Sequence, residues 1–304
     1  MSDTITNSNI LNNTDQATIS CEKLNSTSEL ARPRRVALIT GASSGIGQST
    51  ATALLERGWV VYGAARRVER LQELSGHGLR PLYLDVTQPA SCAACLAKVI
   101  EEAGQIDALI NNAGYGSFGS VEEISNEEAH RQFEVNVFGL ANMIREVLPF
   151  MRQAEQGRIV NVASMGAKVY TPMGGWYYAS KSAMEILSDS LRQEVSSYGI
   201  KVILIEPGVI KSEWPDIAVR HMQETSQNGP YAKLCAKMSN VLKLCYGDNF
   251  VGSPDYVARM IVKALNSPCP RQRYAGPWDA KFLLFIKKYL PDAAFDLIVR
   301  LICT

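Results

Sequence analysis

The chain has 304 residues, of which 46% are hydrophobic and 20% charged, with a formal net charge of +1. This is the composition of a globular protein long enough to bury a core without disulfides or metal, and its charge offers nothing global for nucleic acid to hold. The seven cysteines are odd in number and irregular in spacing, which fits a reducing, cytoplasmic setting better than a disulfide framework.

Residues 1–33 are rich in Ser, Thr and Asn and contain no aromatic residue, which predicts a disordered polar tail. The tail lacks the apolar segment of a signal peptide. Its acids Asp3, Asp15, Glu22 and Glu29 argue against an organelle transit peptide. Residues 34–304 predict a single domain. Short apolar runs at 36–39, 59–64, 79–85, 108–110, 158–163 and 202–205 predict strands, with amphipathic helical stretches between them. Cys92, Cys95, Leu96, Val99 and Ile100 follow the spacing of an apolar helix face, with Thr87 as the predicted cap and Pro89 in the first turn. The cysteine pair is therefore read as core; the three histidines are scattered, and no metal site is expected. Ser125 and Glu128 predict a capping box that opens one long helix through Phe133 and Val137 towards Leu148. Residues 209–251 interrupt the rhythm and predict a substrate lid, and residues 278–304 predict amphipathic C-terminal helices. Continuous apolar strands alternating with helices predict an α/β fold: a doubly wound, Rossmann-type parallel sheet with helices on both faces and a lid insertion.

The turn Thr40-Gly41-Ala42-Ser43-Ser44-Gly45-Ile46-Gly47 follows a predicted strand and opens a predicted helix. Such a turn lets the backbone approach a pyrophosphate while helix N-terminal amides face its charge. Ala65, Arg66 and Arg67 stand at the end of the second strand, where an acid would bind the ribose of NAD. A guanidinium there pairs with a 2′-phosphate, so NADP(H) is expected, with Arg66 as the main contact. Asp85 and Val86 follow the third strand, and Asn112, Ala113 and Gly114 the fourth. Each group is either turn chemistry or a cofactor wall.

Tyr177 and Lys181 are spaced to share one helix face. A free tyrosine titrates near about 10, and an adjacent ammonium lowers that value. The pair thus suits proton exchange with a carbonyl or alcohol oxygen while hydride moves at carbon. Tyr178 competes for the same role, because it lies three residues from Lys181. Ser164 ends the fifth strand, where a hydroxyl can orient a substrate oxygen. Asn136, an amide among apolar residues, either holds a water in a proton path or caps a local backbone group.

These residues together resemble the short-chain dehydrogenase/reductase family over roughly residues 35–265. The resemblance rests on the glycine turn, Asp85, Asn112-Ala113-Gly114, Asn136, Ser164, Tyr177, Lys181 and Pro207-Gly208. It implies Tyr177 as general acid/base and Ser164 as the substrate-positioning hydroxyl. Lys181 would bind the nicotinamide ribose and lower the tyrosine pKa, and Asn136 would complete a proton relay. Gly41, Ser43, Ser44, Gly45, Ile46 and Gly47 would contact cofactor, with Asn112 on the adenosine side and Ile210 at the carboxamide. Ser212 stands where family members often carry threonine and keeps the hydroxyl. A homo-oligomer built through the two long helices carrying Asn136 and Tyr177 is implied as well.

Residues 273–281 are similar to retinol and steroid dehydrogenase-type members, which implies a lipophilic carbonyl or alcohol substrate. The alternatives are a 3-oxoacyl or small-metabolite carbonyl reductase, or a non-catalytic NADPH-binding regulatory protein. Residues 282–286, followed by Lys287 and Lys288, suit either packing on the domain or a lid, or peripheral contact with a membrane surface.

Overall fold

The computed structural model describes residues 34–211, 214–247 and 252–303. The expected polar tail, Ser212 and the end of the expected lid segment (248–251) lie outside them. The sheet has seven parallel strands in the order β3-β2-β1-β4-β5-β6-β7. β1 (Val36–Thr40) is buried at every position, as a strand covered on both faces must be. It leads into α1 (Gly45–Leu55), β2 (Val60–Ala65), a 3-10 turn with α2 (Gln72–Ser75), β3 (Arg80–Tyr83), α3 (Pro89–Ala103) and β4 (Ala108–Asn111). The second half runs through α4 (Asn126–Phe133), α5 (Gly139–Gln153), β5 (Gly157–Val162), α6 (Gly175–Glu194) and β6 (Ile200–Pro207). Helices α7 (Trp214–Ser226) and α8 (Ala232–Cys245) follow within the segment expected as a lid, then α9 (Pro254–Asn266), β7 (Arg273–Gly276), α10 (Trp278–Tyr289) and α11 (Asp292–Cys303).

Strand alternation divides the core. Leu38, Tyr62, Leu109, Ile159 and Leu204 face Leu96, Met143, Val147 and Met184 on one side of the sheet. Ala37, Ile39, Val61, Ile110 and Ile203 face Leu54, Ile261 and Leu265 on the other. The strand order reverses between β1 and β4, and the crevice at their carboxyl ends is where ligands bind in this architecture. Thr40 stitches the two strand ends together: its Oγ1 accepts from the backbone N–H of Asn112 (3.1 Å) and of Ala113 (3.0 Å).

Several local expectations change. The helix bearing Cys92 and Cys95 buries both, but its cap is Gln88 and not Thr87. Thr87 is engaged elsewhere, donating to Asp85 Oδ1 through its N–H (3.0 Å) and hydroxyl (2.8 Å). Ser125 accepts from the Glu128 N–H as a cap should, while the Glu128 carboxylate turns away to accept from the Tyr115 hydroxyl (3.0 Å). The single long helix expected after Ser125 is interrupted by a π-helical turn over Glu134–Phe138, which carries Asn136 fully buried.

One buried polar bridge joins the central strands to α6. Asn111 Nδ2 donates to Asn161 Oδ1 (2.9 Å), and Asn161 Nδ2 donates to Ser188 Oγ (2.8 Å). Asn161→Ala removes both bonds and leaves the buried Asn111 amide uncompensated, while the Ser188 hydroxyl keeps its bond to the Met184 carbonyl (2.7 Å). The expected loss is about 1–3 kcal/mol of unfolding free energy, read as a lower urea midpoint at unchanged slope.

Candidate active site

The glycine turn is built for close approach. Gly41 and Gly45 hold φ of +66° and +54°, where a side chain would be strained. A Cβ on Gly47 would lie 2.4 Å from the Gly41 carbonyl oxygen, so the first turn of α1 tolerates only glycine there. Ser44 is the N-cap residue of α1 but makes no side-chain cap, leaving the first amides of the helix facing outward from the turn. Asn112 Nδ2 donates to the carbonyls of Thr40 (3.1 Å) and Gly41 (3.0 Å). Asn112 therefore shapes the turn from below. A dinucleotide pyrophosphate fits this cradle: small residues, oriented amides and a helix N-terminus converge on one spot. Arg66 is exposed just past β2, and Ala65 beside it is buried.

α6 brings the ionisable pair into the crevice. Tyr177 and Lys181 are 9% and 6% exposed. Lys181 Nζ donates to the Val162 carbonyl (3.0 Å) at the end of β5. An ammonium has three donors, so two N–H groups remain for other partners. Burial pushes Lys181 down to about 8, opposed by the nearby Glu185 carboxylate. Burial pushes the Tyr177 phenol above the usual tyrosine range, and a side-chain hydrogen bond with Ser164 pulls it partly back. The sequence predicts a phenol lowered by Lys181; the structure reverses the sign, because desolvation dominates.

Ser164 follows β5 at a 3-10 turn, and its Oγ accepts from the Gly166 N–H (3.0 Å). One of its two lone pairs is so engaged, and its O–H remains to donate. Asn136 is clamped to Tyr115: its Oδ1 accepts from the Tyr115 N–H (3.0 Å), and its Nδ2 donates to the Tyr115 carbonyl (2.9 Å) and to Ser180 Oγ (3.0 Å). Of the two readings left open for Asn136, backbone capping is the one these bonds display. A Cβ on Gly114 would lie 3.0 Å from Asn136 Oδ1 and 3.5 Å from Lys181 Nζ, so Gly114 keeps that junction open.

Geometry also separates the two tyrosines. Tyr178 pairs its hydroxyl with Thr171 Oγ1 (2.7 Å), and its ring fills the space beside Gly166 and Gly174. Tyr178 is thus tied into the wall, while Tyr177 is the phenol that meets Ser164.

Tyr177 packs in an apolar cluster with Phe118, Met173, Met222, Met238 and Cys303, joined by Trp214 from α7. The rings of Phe118 and Trp214 sit 5.6 and 5.3 Å from that of Tyr177. Sequence reading missed this cluster, whose residues come from five separated segments. Pro207 ends β6, and Ile210 forms an isolated bridge to Gly252. Asp85 is occupied with Thr87 and Ser91, and Val86 is buried.

Comparison with known proteins agrees with this arrangement. The family profile described as short chain dehydrogenase matches residues 35–221. A 3-ketodihydrosphingosine reductase of Bacteroides thetaiotaomicron is 42% identical over 271 residues, covering 88% of this chain and 97% of that protein. Retinol dehydrogenase 7 of Rattus norvegicus is 33% identical over 282 residues, covering 86% of each chain. Among solved structures, a short-chain dehydrogenase from Streptomyces avermitilis superposes with a TM-score of 0.74 at 31% identity, covering 88% of this chain and 96% of that one. The chain belongs to the short-chain dehydrogenase/reductase family and is an oxidoreductase of the kind that uses a nicotinamide dinucleotide.

The two tyrosines make a direct test. Tyr177→Phe is expected to lower kcat by about 10²–10⁴-fold with nicotinamide cofactor affinity retained. Tyr178→Phe is expected to stay within a few-fold of wild type in turnover and to lose about 1 kcal/mol of stability with its Thr171 bond.

Proposed function

We propose that the protein is an NADPH-dependent reductase of a long-chain, lipophilic ketone, with a 3-ketone of the 3-ketodihydrosphingosine type as the leading substrate. The observation that carries this reading is the Tyr177 phenol, paired with Ser164 and packed within an apolar cluster. Burial keeps the phenol in its protonated form near neutral pH, the form that reduction of a carbonyl requires. The cluster is rich in methionine, whose unbranched side chain adapts to flexible alkyl chains better than to one rigid ring system. The 42% identity to the bacterial reductase, against 33% to the retinol dehydrogenase, points the same way.

Bound at the glycine turn, NADPH would supply hydride to the carbonyl carbon. Tyr177 gives its proton to the carbonyl oxygen, and Ser164 donates a hydrogen bond to the same oxygen. Lys181, when charged, stabilises the phenolate left on Tyr177 and offers its two remaining N–H groups to the ribose. Asn136 acts through Tyr115, fixing the segment beside Lys181. The preference for NADPH rests on exposed Arg66 next to Ala65, with no acid to repel a 2′-phosphate.

Two measurements test these assignments. Ala65→Asp with Arg66→Val should lower the NADPH/NADH ratio of kcat/KM by about 10–100-fold, the worth of one charge-assisted hydrogen bond; an unchanged ratio removes Arg66 from the cofactor site. For the reductive direction, kcat/KM should fall as pH rises through about 8, where Lys181 loses its charge in the free enzyme. Lys181→Met should be slow at every pH and lack that limb.

A further inference from the structure

The two C-terminal helices carry an unpartnered surface that the chemistry does not use. On α10, Trp278 (72% exposed), Phe282, Phe285 (62%) and Tyr289 (65%) recur at helical spacing and form two ring pairs, with centroids 4.9 and 4.8 Å apart. Lys281 and Lys288 are exposed between them. On α11, Leu297, Ile298, Leu301 (76%) and Ile302 are exposed in the same way. Soluble surfaces seldom show so many large apolar side chains in succession.

Charge decides what this face meets. Each acid on the two helices is engaged by the protein: Asp279 accepts from the Val209 N–H, Asp292 from Lys287 and Asp296 from the Tyr170 hydroxyl. Lys281 and Lys288 are exposed, and with Lys287 and Arg300 the bases of the two helices outnumber their acids. Aromatic rings interleaved with lysines, on helices too short to cross a bilayer, match an interfacial location: rings at the headgroup level, ammonium groups against lipid phosphate. A second copy of the chain has another apolar face to use, with Phe138 on the π-helical turn before α5 and Ile186 and Leu187 on α6.

The inner side of α11 faces the opposite way. Phe295 and Cys303 are buried, and Cys303 with Val299 joins the apolar cluster that contains Tyr177. One helix therefore separates the exposed face from that cluster.

We infer that α10 and α11 dock the protein on an anionic bilayer surface, with the apolar cluster behind α11 opening to receive its ketone from the lipid phase. The docking stands on the exposed face alone; the delivery role rests on the lipophilic-ketone reading.

The test is cosedimentation of the full chain with vesicles of phosphatidylcholine, with and without 30 mol% phosphatidylglycerol (about 0.1 M salt). Wild type should partition onto the anionic vesicles, and Phe285→Glu with Leu301→Glu should lower the partition coefficient at least tenfold. Lys281→Glu with Lys288→Glu should remove the preference for anionic lipid, roughly fivefold per lysine. Both double variants should reduce a short, water-soluble ketone with unchanged kcat/KM, which shows that they fold. The docking is overturned if wild type stays in the supernatant with either vesicle, or if the variants sediment like wild type. It is equally overturned if Phe285→Glu with Leu301→Glu changes only the mass of the protein in solution, because a second copy then covers the face. Vesicle binding without faster turnover of bilayer-embedded long-chain ketone over detergent-dispersed ketone supports docking and removes delivery. Absence of turnover on any long-chain ketone, in either medium, counts against the substrate reading and leaves docking intact.

Discussion

The ammonium of Lys181 is buried, and among the described residues its hydrogen-bond partner is a single backbone carbonyl, that of Val162. Taking a charge out of water is costly, and the cost shows as a pKa drawn down to about 8. The site tolerates this because α6 is anchored at several points around the lysine. Ser180 Oγ receives Asn136, Ser182 Oγ donates to the Ala167 carbonyl (2.6 Å), and Ser188 receives Asn161. Small hydroxyl residues on one helix thus connect it to the π-helical turn, to the Ser164 loop and to the central sheet. The position of Tyr177, four residues before Lys181, follows from these attachments.

A second set of charges braces the same region from behind. Glu185 and Glu206 are both buried; Lys168 and Arg273 lie between them, and Asp189 takes the far side of Arg273. Burial, and the like charge of Glu206, raise the Glu185 carboxyl. Lys168 belongs to the loop that begins at Ser164, Glu185 to α6, Glu206 to β6 and Arg273 to β7. The network therefore ties together the elements that present the serine, the tyrosine and the loop after Gly208. Buried ion pairs are weak sources of net stability, because desolvation offsets most of their attraction. Their consequence here is geometric: the loop bearing Ser164 and the helix bearing Tyr177 are held so that the two side chains share a hydrogen bond.

Much of this is legible in the sequence. Strands reported themselves as unbroken apolar runs because both faces of the sheet are covered, and the glycine turn did so because its backbone geometry excludes other residues. Helical spacing places Tyr177 on the same face as Lys181. What spacing could not decide was which tyrosine meets Ser164, since Tyr177 and Tyr178 both neighbour the lysine in helical register. That choice is made by Thr171 and the two glycines beside the Tyr178 ring, contacts that exist only after folding. The sign of the Tyr177 shift was hidden for a related reason: it depends on how completely Phe118 and Trp214 cover the ring, and Trp214 comes from α7. The π-helical turn at Asn136 had no signature either, because its sequence keeps ordinary helical periodicity.

α7 meets the body through polar and apolar contacts together. Ser117 Oγ lies 2.9 Å from His221 Nδ1, and Ser226 Oγ accepts from the Ser120 N–H (3.2 Å). Its inner face contributes Ala218 and Met222 to the apolar cluster around Tyr177. Ser117, Ser120 and Ser226 are buried, so opening this edge uncovers polar groups as well as apolar ones. On the proposed reading, a lipophilic ketone takes the place of some of the cluster's own side chains, and α7 over it keeps water from the Tyr177 proton.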